Sequence, residues 1–443
     1  MNPPGVSLRE GLLYGGLGLP LAFVALPLYV FLPNHYAREF GIPLATLGTL
    51  LLAARLLDAF IDPLLGRLSD RLFARSIRSV LASSAMAALV LAAGLSGLFF
   101  PPVRGHTGLL AWAAILLVLT YMAYSLLSIT HQAWGAGLGG DEVQRSRWVA
   151  WREGLGLVGV VVASVAPTLL GLPLTAALFS VALALGWLAL TRAPRPLRPA
   201  GRLPESAPRH PRHTVGAGHA SVWRPLTVPA FRRLLAVFVL NGIASAIPAT
   251  LVLFFVQDRL QAPPALEPAF LGAYFVSAAL SLPLWMRAVR RWGLARTWLA
   301  GIVLAVAVFA WTATLGAGDA GLFLLVCALS GAALGTDLAL PGAMLAGVIA
   351  AQGDHGQAEG AYFGWWNFAV KLNLALAAGL ALPLLALAGY TPGTRDPQAL
   401  QALTLAYCAL PCALKLLAGG ALFTLILRPA AISSATTLLR STP

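Results

Sequence analysis

Twelve stretches of this chain are each long enough and apolar enough to cross a bilayer, and they follow one another with little sequence between them. A hydrocarbon core about 30 Å thick needs roughly 20 apolar residues of helix. Runs of that kind are expected at 11–32, 44–65, 79–99, 109–132, 154–171, 173–191, 233–256, 269–287, 297–316, 320–346, 361–388 and 403–427. Of the 443 residues 58% are hydrophobic and only 10% are charged, against about 25% charged in an ordinary soluble domain. A mean hydropathy of +0.79, spread along the whole length, does not fit one core plus a tail. The fold class that follows is an all-α membrane protein with twelve transmembrane helices. Prolines inside the runs, such as Pro20, Pro27, Pro248 and Pro283, mark kinks and close helix contacts in that setting. The first run lacks a long basic region ahead of it and a small-residue cleavage site behind it, so it is expected to stay as a span.

The net charge of +14 is explained by topology, not by nucleic acid, because the basic residues lie in short runs between apolar segments. Loops after the even-numbered spans, with the two termini, hold 23 arginines, whereas the opposite loops hold only Arg38, Arg104, Arg259 and Arg395. The excess of basic residues on cytoplasmic loops then places both termini in the cytoplasm of a multi-pass protein of the cell's inner (plasma) membrane. Cys327, Cys408 and Cys412 all lie within apolar runs, where they are expected to be small core residues and not a disulfide or zinc framework.

An Arg-, Pro- and His-rich segment at 192–232 is expected to be a cytoplasmic linker between an N-terminal bundle, 1–191, and a C-terminal bundle, 233–443, of six helices each. The basic runs after spans 2 and 8, Gly66 to Arg71 and Arg287 to Trp292, are a faint echo of duplication. Two parallel bundles around a central cavity is a transporter plan. The chain shows no Walker A loop, zinc spacing, Gly-x-Ser-x-Gly elbow or nucleotide fingerprint, and nothing in it argues for an ATP-driven pump or an enzyme.

Ionisable groups in hydrocarbon cost several kcal/mol, which makes the few in these spans candidates for function. Asp58 and Asp62 are four residues apart, on one helical face about a turn from each other. Their mutual repulsion is relieved by a bound cation or a shared proton; the plainer alternative has Asp62 capping a helix end and Asp58 tied to Arg55. Lys371 needs counter-charges that the two aspartates would supply, and it could stand in for the ion when none is bound. Lys415, on an outer helix, is expected to snorkel or pair locally. Asp337 either caps a helix broken at Pro341 or lines the cavity. His131 is expected to be a satisfied polar contact, with a proton relay as the alternative. Tyr124, Trp134, Trp365 and Trp366 could stack on a sugar ring, although packing is the commoner use of an aromatic here.

At these residues the chain resembles a known family. The run from Leu51 to Gly66, with the stretch from Gly360 through Asn367 to Lys371, Tyr14-Gly15, and Asp141 to Arg145, is similar to the glycoside-pentoside-hexuronide:cation symporters, a branch of the major facilitator superfamily. The resemblance implies the major facilitator fold. It implies a coupling cation, sodium or proton, held by Asp58 and Asp62 (the metal ligands if the ion is sodium), with Ser125 and Lys371 beside them. It also implies a substrate site drawn from Tyr124, Ser128, Arg152, Trp365, Trp366 and Asn367. Two acidic sugar-gripping positions of the family fall on Ala22 and Ser128, and its acidic residues after span 10 are absent from Gly347 to Gln352. The expectation is a cation-coupled secondary transporter of a small solute such as a sugar or glycoside, with no other cofactor and no obligate protein partner. A carrier of lysolipids or other amphipaths is the runner-up, and a polytopic enzyme or sensor a distant third.

Overall fold

The computed structural model describes residues 6–196 and 221–429, and among them every regular element is a helix. Among the described residues twelve long helices follow one another. Helix α1 runs from Leu8 to Glu39 in segments, because Pro20, Pro27 and Pro33 each remove a backbone donor. It is followed by α2 (Leu44–Arg75), α3 (Ile77–Phe99) and α4 (His106–Gly137). Then come α5 (Glu142–Pro167), α6 (Leu169–Arg192), α7 (Pro229–Arg259) and α8 (Pro264–Trp292). The last four are α9 (Leu294–Thr312), α10 (Ala320–Ala351), α11 (Glu359–Leu387) and α12 (Pro397–Leu427). Among the described residues nine of these are long and apolar enough to cross a bilayer on length and hydropathy alone.

Several helices outrun the expected spans at the end where α2 finishes and α11 begins, so their polar turns project past the hydrocarbon. The corner between α5 and α6 turns at Gly171, whose φ of 76° suits glycine alone. Of the segment expected to be a linker, 197–220 lies outside the described residues. Its last part forms a short helix, Arg224–Thr227, tied down by an Arg224–Asp354 ion pair at 3.1 Å.

The buried side chains fall into three clusters. One lies wholly within α1–α6, centred on Tyr14, Phe23, Leu91, Tyr121 and Phe179. A second lies wholly within the later helices, around Phe255, Phe270, Phe323 and Tyr407. The third mixes both halves, joining Leu65, Ile129, Ala133 and Val149 to Phe231, Trp298, Tyr362 and Trp366. Two six-helix bundles are therefore fused at one end and have separate cores at the other. Leucines such as Leu169, Leu280, Leu416 and Leu417 remain exposed on the outside, as a lipid-facing surface requires.

The closed end is built from α2 against α11 and from α5 against α8 and α10. Gly66 and Gly360 cross so closely that a Cβ on either would strike the other's carbonyl oxygen, and Gly364 sits equally close to the Asp62 backbone. Such backbone approach is the use of small residues in membrane helix packing. Asp70, buried at the end of α2, accepts hydrogen bonds from the Gly360 and Ala361 amides at 2.6 and 2.9 Å. One bundle thereby caps the positive end of a helix in the other. A second carboxylate works the same way more weakly: the Leu294 amide at the start of α9 donates to Glu142 Oε2 at 3.3 Å.

Candidate functional site

Above the closed α2–α11 crossing, three charged groups meet. Lys371 of α11 places its Nζ 2.6 Å from Asp58 Oδ2 and 2.6 Å from Asp62 Oδ2, both on α2. Ser125 of α4 accepts from Lys371 Nζ at 2.8 Å and donates to Asp58 Oδ1 at 2.8 Å. Lysine, serine and Asp58 thus form a closed ring. The Asp62 contact is an ion contact without hydrogen-bond alignment, and neither of its carboxylate oxygens makes a hydrogen bond. Exposure grades across the cluster: Asp62 is fully buried, Asp58 is 5% exposed and the Lys371 side chain is 20% exposed. Two carboxylates against one ammonium leave one negative charge in excess. Among the described residues no three His, Cys, Asp or Glu side chains lie close enough to share a metal. A sodium ion would rest on Asp58, Asp62, the Ser125 hydroxyl and backbone oxygens, with the ammonium displaced.

The other residues singled out in the sequence separate into two groups. Along the α4–α11 seam, Gln132 donates to Ser128 at 2.8 Å and to Asn367 Oδ1 at 3.3 Å, linking the bundles through side-chain amides. Asn367 Nδ2 is buried without a partner. Tyr124 is half-buried one turn before Ser128 on α4. Arg152 lies within α5, not in a loop, and binds Glu153 through Nε at 2.9 Å and Nη2 at 2.6 Å.

The tryptophans do not join this set. Trp365 donates to the Val222 carbonyl at 2.9 Å and packs on Trp223, fixing the segment ahead of α7. Trp366 is stacked on Phe238 with ring centroids 3.8 Å apart. Trp134 is buried, donates to the Pro194 carbonyl at 2.9 Å and packs against Phe73. All three are packing residues here, because each ring lies against partners of its own half of the chain: Phe73 and Pro194 for Trp134, Val222, Trp223 and Phe238 for the α11 pair.

Two further expectations, for Lys415 and Asp337, are corrected, and that for His131 holds. Lys415 neither snorkels nor pairs locally. It is 5% exposed and donates to Asn241 Oδ1 at 2.9 Å and Asp337 Oδ2 at 3.0 Å. Asp337 neither caps a broken helix nor opens onto a cavity. Helix α10 runs through Pro341, and the carboxylate takes Lys415, Trp298 Nε1 at 2.8 Å and Ser245 at 3.3 Å. His131 is the satisfied contact, its Nε2 2.8 Å from the Tyr14 carbonyl oxygen. Sequence reasoning missed Asp70, Glu142, Gln132 and Glu153. For Asp70 and Glu142 the signal was a carboxylate just beyond an apolar run, with no hint of which helix it would cap.

A family model described as "MFS/sugar transport protein" matches residues 13–428. The chain belongs to that family of transporters. Its twelve helices in two bundles are the major facilitator fold, and it is a multi-pass membrane protein, not an enzyme. The curated relatives it matches include the inner membrane symporter YicJ of Escherichia coli (strain K12), 29% identical over 168 residues, 37% of this chain and 36% of that protein. A putative glycoside/cation symporter, YagG, of the same organism is 26% identical over 156 residues, 35% of this chain and 33% of that one. The matched stretch thus spans about a third of each relative's length. Among solved structures, a bacterial homologue of the iron transporter ferroportin in its outward-facing state superposes with a TM-score of 0.68 at 14% identity, covering 95% of this chain and 99% of the other. That likeness is one of fold.

Proposed function

We propose that this chain is a cation-coupled symporter of a small hydroxylated solute, a sugar or glycoside, working by alternating access in the cell's inner membrane. The observation that carries the reading is the excess negative charge of Asp58, Asp62 and Lys371 at a contact between the two bundles. A ligand shifts a conformational equilibrium only as far as it prefers one state. A sodium ion or proton that neutralises the surplus carboxylate changes what holds α2 to α11, and so couples ion binding to the relative motion of the bundles. The curated relatives, both symporters and one described as glycoside/cation, support the same direction. The side-chain amides and hydroxyls of Ser128, Gln132 and Asn367 along the seam favour a hydroxylated solute over an amphipath.

The arginine-rich loops after α2, α4 and α8 lie at the closed end, so by the basic-residue rule that end is cytoplasmic, with both termini, and the carrier faces outward. Inward opening then requires the Gly66–Gly360 crossing and the Asp70 cap to separate. The testing experiment is uptake of radiolabelled saccharides into proteoliposomes, with a sodium gradient or a pH gradient imposed separately. Accumulation driven by one of the two supports the reading. Saccharide uptake indifferent to both gradients would remove the coupling, and absence of any saccharide uptake would remove the substrate class.

A further inference from the structure

Four carboxylates lie deep in the spans: Asp58, Asp62, Asp337 and Glu153. Three are committed. Asp58 and Asp62 share Lys371, and Asp337 holds Lys415, Trp298 and Ser245. Glu153 is different. Arg152 Nε and Nη2 both donate to its Oε1, while among the described residues no hydrogen bond reaches Oε2. Its side chain is 26% exposed, more than Asp58 at 5%, Asp62 at 0% or Asp337 at 15%.

Its place in the fold is equally specific. Arg145, Val149 and Arg152 recur at helical spacing and share a face of α5. Arg145 faces Gly347 of α10, and Val149 and the Arg152 guanidinium face Gly342. The Arg152–Glu153 pair therefore stands at the upper edge of the α5–α10 seam, as Lys371 stands above the α2–α11 crossing. At 1.5 Å per residue, Glu153 is about 16 Å along α5 from the closed end and Lys371 about 18 Å along α11, at matching depth. The two seams thus carry two ion pairs at one level, and only the first carries surplus charge.

We infer that Glu153, with the Arg152 guanidinium it orients, is the hydroxyl-binding site of the carrier and takes a vicinal diol of a neutral saccharide. This rests on the symporter reading above. A guanidinium has five N–H donors, of which Glu153 uses two and the Tyr14 side chain is a further partner. The pair offers a carboxylate acceptor at Oε2 beside guanidinium donors, so one hydroxyl of a diol donates to the glutamate while its neighbour accepts from the arginine. The pair's charge balances, which suits a solute without charge. Low local polarity strengthens each such bond relative to water.

The test is saccharide binding by purified wild type and Glu153→Gln, read by thermal shift and confirmed by equilibrium binding, against a panel of hexoses, pentoses and their methyl glycosides with singly deoxygenated analogues of any binder. Wild type binds a member of the panel, and Glu153→Gln weakens it about tenfold to a hundredfold while the shift induced by sodium or by protons stays at its wild-type size. One deoxy analogue loses as much on wild type as the substitution does, and loses little further on the variant, because the same bond is removed twice. A saccharide bound equally by both proteins overturns the assignment of Glu153 and leaves the symporter reading standing. A variant that loses the ion-induced shift together with saccharide binding shows a structural role and overturns it too. If wild type binds no saccharide, the substrate class falls and this site with it.

Discussion

The molecule buries two lysines, and they are held in opposite ways. Lys415 is confined to one bundle, where a single carboxylate, Asp337, faces it, and Asn241, Ser245 and Trp298 complete the hydrogen bonds. Its charges balance. Lys371 bridges the bundles, facing two carboxylates of which Asp62 makes no hydrogen bond, and its charges do not balance. Helices α7, α9, α10 and α12 move together in a rocking carrier, so the first cluster keeps its contacts through the cycle. The second lies across a contact that the proposed cycle would change. Balanced charge within a rigid body is architecture; surplus charge across a moving seam is a place for an ion to act.

The largest effect that sharpens this contrast is expected at the aspartates. Asp58→Asn and Asp62→Asn should abolish ion-driven accumulation of solute while the protein remains folded in the membrane; gradient-driven uptake at the wild-type level in either would break the comparison. Next comes Lys415→Met, which leaves the Asp337 carboxylate buried without its cation at a cost of about 3–5 kcal/mol. Melting should show a large destabilisation that sodium does not reverse, and the double change Lys415→Met with Asp337→Asn should recover most of it. Lys371→Ala is expected to lose less stability and much of its coupling. Because it leaves two carboxylates facing each other, its melting temperature should rise with added sodium or with protons. Equal sodium sensitivity of the two lysine variants would erase the distinction drawn here. Asp70→Ala, which removes the cap on α11, should tilt the population toward inward opening, read as faster thiol labelling of a single cysteine replacing Ser69, which is buried beside Gly360 at the crossing. Unchanged labelling would show the cap to be incidental. The smallest effect is expected at Trp365→Phe, which gives up one hydrogen bond worth about 1 kcal/mol and should leave solute affinity unaltered.

The span count and the shared face of Asp58 and Asp62 were legible because both depend on short-range rules, the length of apolar runs and the turn that brings i and i+4 together; their meeting with Lys371 followed from an ammonium's need for counter-charge and from the family resemblance. The surroundings of Lys415 were not, because α12 is apolar on all sides and offers no polar face to show which way the lysine points. Packing, the commoner reading for an aromatic here, describes the contacts of all three tryptophans, and the substrate role expected of Trp365 and Trp366 was hard to judge for a related reason. An aromatic at the entry of α11 meets either the seam or the core of its own bundle, and one residue of rotation decides between them. Asp70 caps a helix 290 residues further along the chain, a partnership that no local pattern encodes. Glu153 was hidden by a boundary: with the fifth span expected from 154, Arg152 counted as loop charge and the glutamate beside it went unread, whereas the helix begins at Glu142.

The central claim is that surplus charge between the bundles is where the coupling ion acts. It is tested most directly by ion binding in the absence of any solute, measured as the thermal shift of purified protein across sodium concentration at fixed pH and across pH at fixed ionic strength. Wild type should respond to one of the two ions, the Asp58→Asn and Asp62→Asn double variant to neither, and the double change at Lys415 and Asp337 as wild type does. A full response from the protein lacking Asp58 and Asp62 would contradict the account.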